Sequence, residues 1–170
     1  MTIRTRNVTG RRDVHYASYE EVIRDVDHLI AVGHRTLGNW SLGQICRHLA
    51  ASIDVMLDGA PAALPKPVQF LVRTFLKNRI LHQPLPAGYQ LPRAAAALLP
   101  EPISEAEGSE LLRTAVNRLS STTDRAPHPA LGRVSQQDWD AFQLRHCELH
   151  LSFVIEEPSA ATGGAADPGV

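Results

Sequence analysis

The chain has 170 residues, of which 44 % are apolar and 21 % charged; that length and balance favour one domain with a buried core and exclude a disordered polyampholyte. A net charge of −1 argues against a dedicated nucleic-acid or anionic-membrane binder. Eight histidines stand beside two cysteines, Cys46 and Cys147, which excludes a disulfide framework and a multi-cysteine zinc site and leaves a histidine site open.

The first twelve residues carry no apolar run of signal-peptide length, and no stretch approaches the roughly 20 apolar residues of a membrane span. A cytoplasmic protein is therefore expected, with no membrane or nucleic-acid partner and with both cysteines as free thiols buried like small hydrophobes. Arg4, Arg6, Arg11 and Arg12 read as a solvated arm, and Val14 to Ala17 as a short extended lead-in. Aromatics are only 5 %, so the core is expected to rest on Leu, Ile, Val and Ala.

Four helix starts carry one signature, a serine followed three residues later by a side chain that can complete a cap: Ser18 with Glu21, Ser41 with Gln44, Ser104 with Glu107, and the weaker Ser135 with Asp138. The serine oxygen satisfies an orphan N–H, and acidic third residues complement the helix dipole. Apolar residues at helical spacing then predict helices over about 19–32, 42–58, 105–120 and 136–155, with Gly33, Gly59 and Pro158 as stops. Prolines punctuate the connection between the second and third of these. Val68, Leu71, Val72, Phe75, Leu76 and Ile80 suggest one further helix inside it, and Gln83 to Pro102 reads as a proline-stiffened crossover. Short links predict that the 19–32 and 42–58 helices pack antiparallel, and that the 105–120 and 136–155 helices are neighbours. The expected fold is all-α, a four-helix bundle with one long crossover connection carrying an extra short helix. It spans residues 1–157 as one domain, and the Ala/Gly/Pro-rich 158–170 is an expected disordered tail.

Three histidines fall inside the strongest helical patterns. His146 and His150 stand four apart, about 40° from each other around a helix, so that two imidazoles can ligate one ion. Helical arithmetic puts both on the face of Trp139, Phe142, Leu149 and Phe153, pointing into the bundle. His48 lies at the edge of the Leu42–Ile45–Leu49–Ile53 stripe, on the strip of Gln44, Ser52 and Val55. A third imidazole from a facing helix completes a three-nitrogen set with an open position. The alternative is that each histidine bonds an ordinary neighbour. His128 reads as an exposed loop residue; His15, His28 and His34 are expected at solvent or caps, and His82 lies in the crossover. Trp40 precedes an N-cap, where a hydrophobic staple is expected. Glu148 is about 160° from His150 and is not expected to be a ligand or base.

The segments Arg35 to Ala50 (Trp-Ser-Leu-Gly-Gln-Ile-Cys-Arg-His-Leu-Ala at its end), Pro100-Glu-Pro, His128 to Arg133, and Trp139 with Leu144 to Phe153 resemble the DinB/YfiT-like superfamily of metal-dependent four-helix bundles. Within it they resemble a branch known as a domain of unknown function. The resemblance implies metal histidines at His48, His146 and His150, a zinc, nickel or similar divalent ion, and in some members transfer of low-molecular-weight thiols. It implies no DNA binding, and the branch supplies no activity to carry over.

Two functional expectations follow. One is a metal-dependent enzyme acting on a small-molecule substrate by thiol S-transfer, with metal-assisted hydrolysis second; catalytic residues beyond the ligands are unknown. The other is a non-catalytic bundle whose histidines are structural and whose exposed face mediates homodimerisation or partner binding.

Overall fold

A computed structural model of the chain describes residues 3–60, 63–88 and 98–157, excepting the side chain of His82. The expected tail, 158–170, and positions 89–97 of the crossover lie outside the described residues. After a 3₁₀ turn at Thr5–Asn7 come α1 (Tyr19–Val32), β1 (His34–Thr36), α2 (Leu42–Asp58), α3 (Lys66–His82), α4 (Glu105–Ser120), α5 (Gln136–Leu151) and β2 (Val154–Glu156). Val14 to Ala17 forms no strand.

All four serines cap as predicted. Ser18, Ser41, Ser104 and Ser135 accept the backbone N–H three residues on, each cap contributing about 1 kcal/mol. Reciprocal boxes form at Ser41/Gln44 and Ser104/Glu107. At Ser18 the Glu21 carboxylate takes the Ala17 N–H instead. Gly33 ends α1 at φ 84°, a conformation that side chains with a Cβ disfavour.

The last helix departs from its predicted span. It stops at Leu151 rather than Ile155, turns at Ser152–Phe153, and continues as β2, antiparallel to β1 with His34 opposite Glu156 and Thr36 opposite Val154. The β-branched pair Val154-Ile155 suits a strand, and β1 supplies backbone partners that a helical continuation would leave unused. Arg12 locks this corner. Its Nε donates to the Val154 carbonyl at 2.6 Å, and its guanidinium meets both Asp25 carboxylate oxygens at 2.8 and 2.6 Å. Arg12 is thus part of the packed structure, not of a solvated arm.

The helices run up, down, down, up over α1, α2, α4 and α5. α2 and α4 are parallel: their N-terminal turns meet at Gly43 and Gly108, and near their C-termini Arg118 bonds Asp54 at 2.9 Å and also Asp58. α5 runs against α2, since Gln143 reaches Ser52 and His146 reaches His48. α1 runs against α4 through the Asp27–Arg113 pair and His34–Glu105. The closest backbone approach is between α2 and α4, with α1 lying on α4 and α5 on α2 and α3. Helices joined by short links are therefore not the closest pairs, contrary to the simplest expectation. The α1–α2 link is diverted to pair with β2, and the two glycines let α2 and α4 approach more closely than side chains would allow.

The core gathers Val22, Val26, Leu29, Leu42, Ile45, Leu49, Ile53, Met56, Leu112, Leu119, Trp139 and Leu151. Cys46 and Cys147 are buried free thiols within it; burial pushes Cys46 up to about 12, keeping it an unreactive thiol. The extra helix is not short: α3 has 17 residues. Its predicted apolar stripe mostly faces outward, with Phe75 75 % and Leu71 54 % exposed. Lys77 to Asp138 on α5 (2.7 Å) and Gln69 to the Pro129 carbonyl (3.3 Å) hold it in place. Among the described residues, no helix is long and apolar enough to cross a membrane.

Candidate metal centre

The capped N-terminus of α2 fixes the rotation of its first turns. Three of its side chains then reach the described end of the crossover. Gln44 donates to the Pro100 carbonyl (3.2 Å), Arg47 to Glu101 (3.3 Å), and His48 Nδ1 to the Leu98 carbonyl (2.7 Å). The last bond has a chemical consequence. A ring nitrogen facing a carbonyl must carry the proton, so the other, Nε2, presents a lone pair.

That lone pair faces α5. His48 Nε2 lies 3.2 Å from His146 Nε2, and His150 Nε2 lies 3.0 Å from the same atom. All three ligand atoms fall within 4.8 Å of one another. A tetrahedral zinc 2.0–2.1 Å from each nitrogen would separate them by about 3.3 Å. His48, His146 and His150 are the one His/Cys/Asp/Glu cluster of this kind among the described residues. The three sequence-predicted ligands are thus brought together. Their order of burial is the reverse of the expectation: His48 is 3 % exposed, whereas His146 and His150 are partly exposed. The segment at Leu98 accounts for this, because it covers an edge of α2 that helical arithmetic alone leaves open.

An Nε2–H on His146 can point at a neighbour's lone pair, while its Nδ1, on the other side of the ring, is buried with no partner and would stay so with an ion at Nε2. Burial lowers the pKa of all three imidazoles, with their mutual proximity adding to the effect at His146 and His150. The result is a set of neutral nitrogen donors converging on one point, which fits a divalent cation.

Two surrounding features escaped the sequence reading. Trp40 stacks on His150 (centroids 5.3 Å, 14°) and leans on His48 at 4.9 Å, so it roofs the cluster. Behind the cluster, Gln143 donates to Ser52 Oγ at 2.6 Å while its own Oε1 stays buried and unpaired. The strip of Ser52 beside His48 was the available signal for that polar layer. Glu148 stays out of the site as expected, accepting from the Tyr16 N–H at 2.8 Å and pairing with Arg145 and with His15 at 3.1 Å. His28 pairs with Glu156, and His34 Nδ1 donates to the Leu29 carbonyl near the end of α1.

His128 overturns its prediction. It is 4 % exposed, not a surface loop residue. Its Nδ1 accepts the N–H groups of Ala130 and Leu131 (3.1 and 3.2 Å), and its ring packs on Trp139 and Phe142. The prolines on either side hid this, since they look like an exposed loop. Burial lowers its pKa to about 4. The unfolded chain then takes up a proton near pH 6.5 that the folded chain refuses until about pH 4, so this stability is complete above 6.5 and is lost as pH falls toward 4, by up to about 3 kcal/mol. His128→Asn keeps an acceptor for the turn but does not titrate. Its melting temperature should fall less between pH 7 and 4.5 than that of the unaltered chain, and equal slopes would refute the assignment.

Two surface clefts among the described residues, of about 400 and 410 Å³, do not touch the three histidines. A family model described as "Protein of unknown function (DUF1569)" matches residues 8–157. No curated protein and no solved structure matches the chain.

Proposed function

We propose, for a chain that belongs to the DUF1569 family of proteins of unknown function, that it is a divalent-metal-dependent enzyme of DinB/YfiT-like type with His48, His146 and His150 as ligands. Zinc or nickel suits three imidazoles, and transfer of a low-molecular-weight thiol to a small-molecule substrate is the reaction the site suits best. The observation that carries this reading is the convergence of three neutral Nε2 atoms from two helices. When bound, such an ion supplies the positive charge that lowers the pKa of a thiol or water in its open position.

The chain's own part is positional. Leu98 fixes the His48 tautomer through its carbonyl, an outer bond of the kind that orients metal histidines. Trp40 keeps water from the outer faces of His48 and His150. No carboxylate belongs to the cluster among the described residues, so no side chain is available there as a general base. That favours a thiol, which ionises readily, over hydrolysis, in which water must be deprotonated.

Elemental analysis of untagged protein tests the reading. About one zinc or nickel ion per chain is the expected result. A chain that is purified metal-free, refuses both ions, and melts unchanged in their presence overturns it. The outward-facing Val68, Leu71 and Phe75 on α3 favour one second reading, a non-catalytic bundle that pairs with a second copy of itself. Sedimentation of metal-free protein as a dimer, together with failure to bind either ion, would support that reading instead.

A further inference from the structure

The charge of −1 is not spread evenly. α3 carries Lys66, Arg73, Lys77 and Arg79 and has no acidic residue. Lys66, Gln69, Phe70 and Arg73 recur at helical spacing, so they share one side of α3. With Pro127, Leu131, Gly132 and Arg133 of the 127–133 loop, that side lines a cleft of about 400 Å³. The volume lies within the range of small-molecule sites.

The cleft's cations differ from most others in the molecule. Arg12, Arg113, Arg118 and Arg145 each pair with a carboxylate, and Lys77 takes Asp138. Lys66, Arg73 and Arg133 have no carboxylate within 4.0 Å among the described residues. The loop that presents Arg133 is held firmly. Gln69 and the Leu64 N–H both donate to the Pro129 carbonyl, and His128 and Gly132 exchange backbone bonds at 2.8 Å. Three exposed cations with no carboxylate partner among the described residues thus line one cleft, a charge pattern that attracts a multivalent anion. Guanidinium groups suit phosphate oxygens in particular. Phe70, 60 % exposed at the rim, gives a flat apolar surface beside them.

We propose that this cleft, separate from the three-histidine cluster, binds a small phosphomonoester carrying an apolar or aromatic group, with Arg73, Arg133 and Lys66 on the phosphate and Phe70 against the organic part. The test is calorimetric titration of the full chain with phenyl phosphate after treatment with chelator, so that no ion at the histidines can act as receptor. Saturable binding is expected, weakened at least 10-fold in Arg73→Gln/Arg133→Gln and unaffected in Arg35→Gln, which removes an unpaired cation elsewhere. Inorganic phosphate should bind more weakly than phenyl phosphate, and Phe70→Ala should erase that difference. Absence of saturable binding overturns the proposal. So does equal weakening by Arg35→Gln, which would indicate general charge attraction, or undiminished binding in a double variant whose melting is unchanged.

Discussion

Chelator-free preparations of His146→Ala are expected to contain no bound metal, with affinity for added zinc or nickel reduced by at least about 100-fold. The reason is its central place. Its Nε2 is the atom that both His48 and His150 approach, at 3.2 and 3.0 Å. Removing it takes away the nitrogen common to both contacts. His48→Ala, by contrast, retains the His146/His150 pair on one helix and should keep weak binding. Loss of a partner beyond the ligands already costs 10–100-fold, so loss of the central ligand should cost more. The same variant should not harm the metal-free fold. It removes a ring nitrogen, Nδ1, that is buried with no partner, and burying such a group costs on the order of 1–3 kcal/mol. Retention of a full complement of metal by His146→Ala would refute the ligand assignment. A melting point in chelator well below that of the unaltered chain would show that the ring is held for packing.

The second large effect lies away from the histidines. Gly108→Ala is expected to destabilise the chain by about 3 kcal/mol or more, lowering its melting temperature by about 10 °C. A Cβ on Gly108 would stand 2.3 Å from the Gly43 carbonyl oxygen and 2.8 Å from its Cα. Both obstacles are helix backbone, so relief requires α2 and α4 to move apart. Gly43→Ala should act similarly, its Cβ meeting the Ser104 carbonyl oxygen at 2.6 Å. Glu110→Ala, exposed on the same helix, should change stability by less than about 0.5 kcal/mol. Because α2 also carries His48, metal affinity should fall in the glycine variants. Near-normal melting of Gly108→Ala would show that the contact is not tight in solution.

Local chemistry made the helices legible. A serine oxygen and the N–H three residues on are neighbours in any fold, so Ser18, Ser41, Ser104 and Ser135 marked their helix starts without knowledge of the rest. The His146/His150 spacing was legible for the same reason, since four residues on a helix are one turn. What the sequence hid depends on contacts between distant segments. Val154 and Ile155 continue an apolar helical pattern, and only the presence of His34–Thr36 beside them makes a strand preferable. His48 looked marginal because its cover comes from Leu98, 50 residues away. His128 looked exposed because local proline content is silent about Trp139 and Phe142 closing over it. The outward stripe of α3 is the converse case, where apolar spacing implied burial that the fold does not provide.

The β1–β2 ladder also bears on how the chain folds. It joins residues 34–36 to residues 154–156, a contact of long sequence separation, which chains make slowly because a long loop must close first. His150 lies four residues before Val154. As the chain is synthesised, His48 therefore emerges about 100 residues ahead of the two imidazoles it will meet, and stays a solitary ring until nearly the whole helical bundle has left the ribosome. The three-nitrogen cluster and the ladder both need residues from 146–156, so a chain made only as far as the fourth helix has no three-histidine site in which to trap an ion.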